Sequence, residues 1–280
     1  MSERIVITAD RLIDTHRGEV LTGRSVVVDG DRIADVVATS DAPGDARRID
    51  LAGHTVLPGL MDMHSHLVGE DDSGQGYARL VMRSSAQEAI VGVHNARSTL
   101  QAGFTTVRDI GTFRAFVDVA LREGIDAGWF PGPRMMCAGA YVTTPGGAGD
   151  LTGLAVDVDE VVPRDLRFGV TSGVDQMRST VRQVLRYGAD FIKVLATGAV
   201  LTSGTRPGMP EFTEDELRAA VEEAEAAGTF VAAHAHGAEG IKRAVRAGVR
   251  SIEHGSLMDD EAIDMMAEHG TYLVADMYDG

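Results

Sequence analysis

The 280 residues carry 42 acidic side chains against 26 basic ones, a formal net charge of −16. That balance excludes a partner gripped by clustered Lys and Arg, nucleic acid above all. The single cysteine, Cys137, excludes an internal disulfide, and no apolar run approaches the roughly 20 residues of a membrane span. The opening Met1-Ser2-Glu3-Arg4 has no signal pattern, so the expected location is cytoplasmic.

In chain order, Ile5-Val6-Ile7, Ser25-Val26-Val27-Val28 and Arg32-Ile33-Ala34-Asp35-Val36-Val37 read as short strands. Asp29-Gly30-Asp31 between two β-branched runs is a hairpin signal, so residues 1–54 are expected to form a small antiparallel sheet. From Thr55 apolar runs alternate with helical patterns. Gly103, Gly188, Gly228, Gly248 and Gly270 each stand between a helix and an immediate strand, where a left-handed cap makes a compact turn. Thr213 with Glu216 three residues on is a capping box opening a helix. Strands are expected at 56–62, 104–109, 134–140, 189–195, 229–234, 250–254 and 271–276. Seven βα units point to an α/β fold, the (β/α)8 barrel, occupying 55–280 and one strand short at its C-terminus, so the natural chain is expected to continue beyond Gly280.

Such barrels keep reactive groups at the carboxyl ends of their strands. The predicted ends carry His64 and His66, Asp109, Lys193, His234 with His236, and His254. On a strand, residues i and i+2 share a side and lie about 6.6–6.8 Å apart, so His64 and His66 can converge on one ion. Two polar histidines at a strand exit would look the same. Lys193, inside Phe191-Ile192-Lys193-Val194-Leu195, is expected to be desolvated, which makes a neutral amine available to take up carbon dioxide as a carbamate. A buried Lys paired with an acid is the alternative. The loop 141–176 is rich in Gly and Asp and long enough to cover a substrate.

Pro58-Gly59-Leu60-Met61-Asp62-Met63-His64-Ser65-His66, Gly103-Phe104-Thr105-Thr106-Val107-Arg108-Asp109, Phe191-Ile192-Lys193, His234-Ala235-His236-Gly237 and Ser251-Ile252-Glu253-His254-Gly255 resemble the amidohydrolase superfamily. The branch they are most similar to is that of the Xaa-Pro dipeptidase and imidazolonepropionase-like enzymes. The resemblance implies two divalent metal ions, zinc in expectation. His64 and His66 would hold the first, His234 and His254 the second, and carboxylated Lys193 would bridge them. It also implies that the N-terminal sheet pairs with C-terminal strands in a β-sandwich. The implied activity is hydrolysis of an amide in a dipeptide or N-acyl amino acid by a metal-activated hydroxide.

His236 and Asp276 are the expected catalytic residues, although Asp276 has the address of strand seven whereas the family carries its carboxylate on strand eight. For that reason residues 1–280 by themselves are expected to be incompetent. Tyr141, Arg206 and Tyr278 are the expected substrate contacts, with Arg206 offered to a substrate carboxylate. Pro145-Gly146-Gly147-Ala148-Gly149-Asp150 places Ala148 where the resemblance implies a histidine. The expected partner is a small molecule, with no nucleic acid and no membrane, and a homo-oligomer stands beside the monomer as an option. A cyclic-amide hydrolase or deaminase of the same superfamily and a non-catalytic relative are the alternatives. The deaminase would need a proton-carrying Glu near His234, and Glu239 reads instead as a first-turn acid.

Overall fold

The computed structural model describes residues 3–69, 78–200 and 202–275, and the chain divides after Leu60 into two compact units. In the first, β1 (Arg4–Asp14) is antiparallel to β2 (Glu19–Leu21) and to β3 (Arg24–Asp29), and β3 forms a hairpin with β4 (Arg32–Ala38). Asp29 faces Arg32 across the turn, where Gly30 takes a φ of 61° that an L side chain would resist. Val6 sits opposite Val27, and both are buried. One strand departs from the expected antiparallel sheet. β5 (Arg47–Val56) runs parallel to β1, with β4 and the turn Thr39–Asp41 supplying the crossover that parallel pairing requires.

The second unit continues with β6 (Leu60–Ser65), β7 (Phe104–Asp109), β8 (Arg134–Cys137), β9 (Tyr141–Val142), β10 (Ile192–Leu195), β11 (Val231–Gly237), β12 (Ser251–Leu257) and β13 (Tyr272–Val274). Between them stand α1 (Ala78–Met82), α2 (Ser85–Gln101), α3 (Val117–Asp126), α4 (Val156–Asp159), α5 (Val174–Arg186), α6 (Glu214–Ala226), α7 (Ala238–Ala247) and α8 (Asp260–His269). The five glycine joints all take φ between 67° and 98°, and Thr213 with Glu216 forms the expected capping box.

Three expected strands are corrected. Thr55 and Val56 belong to β5, and Pro58, which has no N–H to donate, separates them from β6. The run at 134–140 is two pieces: β8 lies parallel to β7, β9 lies parallel to β10, and Gly139 at φ 75° turns the chain between them. The last strand ends at Val274, and Asp276 and Tyr278 lie outside the described residues. The segment 141–176 is more ordered than a bare loop. It holds β9, α4 and the turn Arg164–Leu166, and the buried carboxylate of Asp150 takes two 2.7 Å bonds from the Arg167 guanidinium. Among the described residues no helix is long and apolar enough to cross a membrane.

Strand order follows chain order from β6 to β8 and from β9 to β13. One sheet face packs on helices: Ile192, Val194, Val231, Ala233 and Ile252 share a core with Val181, Leu217 and Ile241. The other face gathers Ile110, Ala138, Phe191 and Ala232, with Phe191 stacked on Phe230 at 5.2 Å. Sheet curvature follows from one contact. β6 lies two strand steps from β8 in one sheet and β12 three steps from β9 in the other, yet His64 Nδ1 and Glu253 Oε2 are 3.0 Å apart. The strands must therefore curl round a shared interior.

Candidate functional site

Alternation on β11 decides which of its residues reach that interior. Val231, Ala233 and Ala235 face the helices, so Ala232, His234 and His236 face inward. On β12 the same rule would send His254 outward beside Ile252. It does not, because His254 adopts φ 74° and Gly255 φ 71°, where the pairing with β11 also shifts register. The left-handed region costs a non-glycine residue roughly 1–2 kcal/mol, so the surrounding structure must hold the bend. The result is a ring centroid 4.5 Å from His234 and 4.8 Å from His236.

His64 lies 4.7 Å from His254, and His66 lies 5.3 Å from His64, so five rings form one contiguous cluster. The ligand atoms of His234, His236 and His254 all fall within 4.8 Å of one another. Lys193, only 2% exposed, sits between Tyr141 and Ala232 in the sheet, and its charge acts on His66, His234 and Glu253. Thus His64, His66, Lys193, His234 and His254 come together. His236, expected beside the ligands, stands among them. Its N–H donates to Thr197 Oγ1, and its Nδ1 is 3.1 Å from Ser256 Oγ.

Hydrogen bonding fixes the state of these rings. The Gly111 carbonyl, 2.8 Å from His66 Nδ1, can only accept, so Nδ1 carries the proton and Nε2 a lone pair. Dense surroundings and the charges of His64 and Lys193 draw the His66 pKa below its ordinary value. Burial, with Lys193 and the neighbouring rings, draws the His234 pKa well below its ordinary value. Both are therefore neutral near pH 7, the form that coordinates a cation. His234 Nε2 is buried without a hydrogen-bond partner. An orphaned imidazole nitrogen within a cluster of imidazoles fits a first-row divalent ion.

Two charged residues that the sequence reading passed over complete the wall. Glu253, wholly buried, accepts from both His64 Nδ1 and the Arg108 guanidinium, the latter at 2.7 and 2.9 Å. Burial would raise its pKa, but the His64 bond and the charges of Lys193 and Arg108 outweigh it and hold the carboxyl at about 2. A charge inside each of two apolar strands, opposite in sign, was the available signal. Asp109, expected among the strand-end groups, faces the other way. It accepts from Leu67 N–H at 2.9 Å and Gly111 N–H at 3.1 Å, and burial with Asp118 nearby pushes its pKa well up. It shapes the chain on either side of His66 from behind.

Tyr141 places its hydroxyl 3.3 Å from His66 Nδ1, and burial with the Asp109 and Asp118 charges keeps the phenol protonated. Arg206 is exposed on the loop between β10 and α6. That loop crosses close to the cluster, for a Cβ on Gly237, next to His236, would stand 2.2 Å from the Gly208 carbonyl. Ala148 is buried, donating its N–H to Glu211 at 2.7 Å and accepting from Thr202 Oγ1 at 2.8 Å.

Residues 55–279 match the amidohydrolase family. The chain is 32% identical over 287 aligned positions to ochratoxinase of Aspergillus niger, covering 97% of this chain and 58% of that protein. Among solved structures it is similar to a Xaa-Pro dipeptidase with methionine bound in its active site, with a TM-score of 0.89 and 42% identity over 97% of this chain and 66% of the other. The structure of A. niger ochratoxinase gives a TM-score of 0.85 at 30% identity, over 98% of this chain and 65% of that one. The chain thus spans less than two thirds of the length of these relatives.

Proposed function

The chain belongs to the amidohydrolase family, and from that premise we propose that it serves in hydrolysing the amide bond of a dipeptide or N-acyl amino acid at a divalent-metal centre. The observation that carries this is the meeting of His64, His66, His234 and His254, from three strands, around Lys193. Two divalent ions, zinc by preference, would supply Lewis acidity there, acidifying water and polarising a carbonyl.

The rest falls to the chain's own groups. His64 and His66 would hold one ion and His234 and His254 the other, with Lys193 as an N-carboxylated, two-oxygen ligand between them. Tyr141 keeps its proton and can donate to a bound substrate oxygen. His236, steadied by Thr197 and Ser256, is a second donor at the substrate. Arg206 offers a cation to the substrate carboxylate, and Asp276 is the candidate to carry the proton that the leaving amine needs. The named relatives, an ochratoxinase and a Xaa-Pro dipeptidase, support amide cleavage next to an amino acid. Glu239 is exposed and pairs with Arg243 at 2.9 Å, so it lends the deaminase alternative no support.

The test, run on a chain extended to the length of these relatives because residues 1–280 alone are expected to be incompetent, is metal content together with turnover of a panel of dipeptides and N-acyl amino acids, before and after chelation. About two ions per chain are expected, with activity lost on chelation and restored by zinc. Amidating the substrate carboxylate should raise KM sharply. Equal turnover of acid and amide forms would reject carboxylate recognition, and full activity after stripping would reject the metal centre.

A further inference from the structure

His64 Nδ1 lies 3.0 Å from a carboxylate oxygen of Glu253, and that carboxylate is itself held from three sides. Arg108 donates two bonds to Glu253 and a third, at 2.7 Å, to the Met63 carbonyl in the strand that carries His64. Ser251 donates to Glu253 at 2.5 Å and accepts from Arg108 at 3.2 Å. The guanidinium also lies 5.6 Å above the Phe191 ring. Glu253 thus has little freedom to turn away. A carboxylate can only accept, so the proton on the His64 imidazole must sit on Nδ1, which leaves the Nε2 lone pair for the interior.

We propose that Glu253, clamped by Arg108 and Ser251, is a positioning residue that fixes the tautomer and aim of His64 and thereby sets how tightly the histidine cluster takes a divalent cation. The inference rests on reading the cluster as a metal centre, so the test has one arm that needs no metal. In the metal-free protein, long-range 1H–15N spectra, with His64 assigned by its loss in His64→Asn, should show the proton on Nδ1. In Glu253→Gln the amide can present either its oxygen or its NH2, so the spectrum should move toward a mixture of tautomers. The second arm is zinc affinity at neutral pH, measured by competition with a chromophoric chelator on folded protein. Glu253→Gln should weaken it by roughly 10–100-fold, the usual effect of losing a group that braces a ligand.

Removing the charge of Glu253 leaves Arg108 buried and unpaired, which can itself unfold the chain. The double variant Arg108→Met/Glu253→Gln avoids this and should show the same loss of affinity. Folded Glu253→Gln, or the double variant, binding zinc as tightly as the wild type would overturn the proposal. So would a wild-type His64 protonated at Nε2. If the wild type takes up no zinc, the metal reading fails and takes the affinity half with it, while the metal-free spectra still decide whether Glu253 sets the tautomer.

Discussion

At Lys193 a long cation has been taken out of water and set among imidazoles, an arrangement that costs stability unless the amine is neutralised or bonded. If it serves as a carboxylated ligand, Lys193→Ala should lose bound metal by more than the roughly 10–100-fold that follows removal of a bracing group, and a short carboxylic acid should restore part of it. Two metals and full activity in the variant would remove Lys193 from the scheme. Glu211 is a different case. Burial pushes its carboxyl up to about 7 even though Ala148 N–H and Thr143 Oγ1 donate to it. A folded pKa above the unfolded one means that the folded state holds the proton more tightly. Its contribution is therefore complete below the unfolded value of about 4.5 and is lost as pH rises to about 7. Glu211→Gln, which can still accept from Ala148, should flatten that slope and melt higher than the wild type at pH 8. An unchanged pH profile of Tm would sink this assignment. His66 and His234 act with the opposite sign. Their folded pKa values lie below the unfolded one, so acidification below about 6.5 favours unfolding.

Among the elements, the β10–α6 loop crosses in close backbone contact over Gly237, beside the cluster. Gly237→Ala would drive a methyl into the Gly208 carbonyl, so the loop bearing Arg206 must shift. KM should rise several-fold with a smaller change in kcat, because the loop is proposed to hold substrate rather than to react with it. Unaltered kinetics would place the loop away from the substrate. The βα rhythm and its glycine joints were legible because each is local, a periodicity or a cap within one stretch of chain. The histidines of β6 and β11 were legible for the same reason, since alternation alone aims them. His254 reached the cluster by another route, a left-handed bend that its spacing does not announce. The division of the third strand at Gly139 and the parallel pairing of β5 with β1 also depend on partners distant in sequence. Glu253 stayed hidden for that reason too. Its partners Arg108 and His64 lie 145 and 189 residues away, and an acid next to a histidine names neither.

For the molecule as a whole, the proposed centre joins β6, β10, β11 and β12, so a cation that binds only the folded arrangement should stabilise all of them together. Free zinc at 100 times its Kd should add about 2.7 kcal/mol to the unfolding free energy, read as a rise in Tm that a chelator reverses. A Tm indifferent to zinc would argue against the centre. The buried pair between Arg108 and Glu253 also has a consequence in time. Strands join the sheet in chain order, so successive βα units can dock as they leave the ribosome, but Arg108 then waits through 145 residues of synthesis for its acid. Until Glu253 emerges, His64 has no brace and the interior holds an unanswered positive charge. Ribosome-bound chains should stay protease-sensitive around β7 while β12 is still in the exit tunnel, and become resistant once it is out. The interior would then close in a single late step, on the arrival of β12, and not strand by strand.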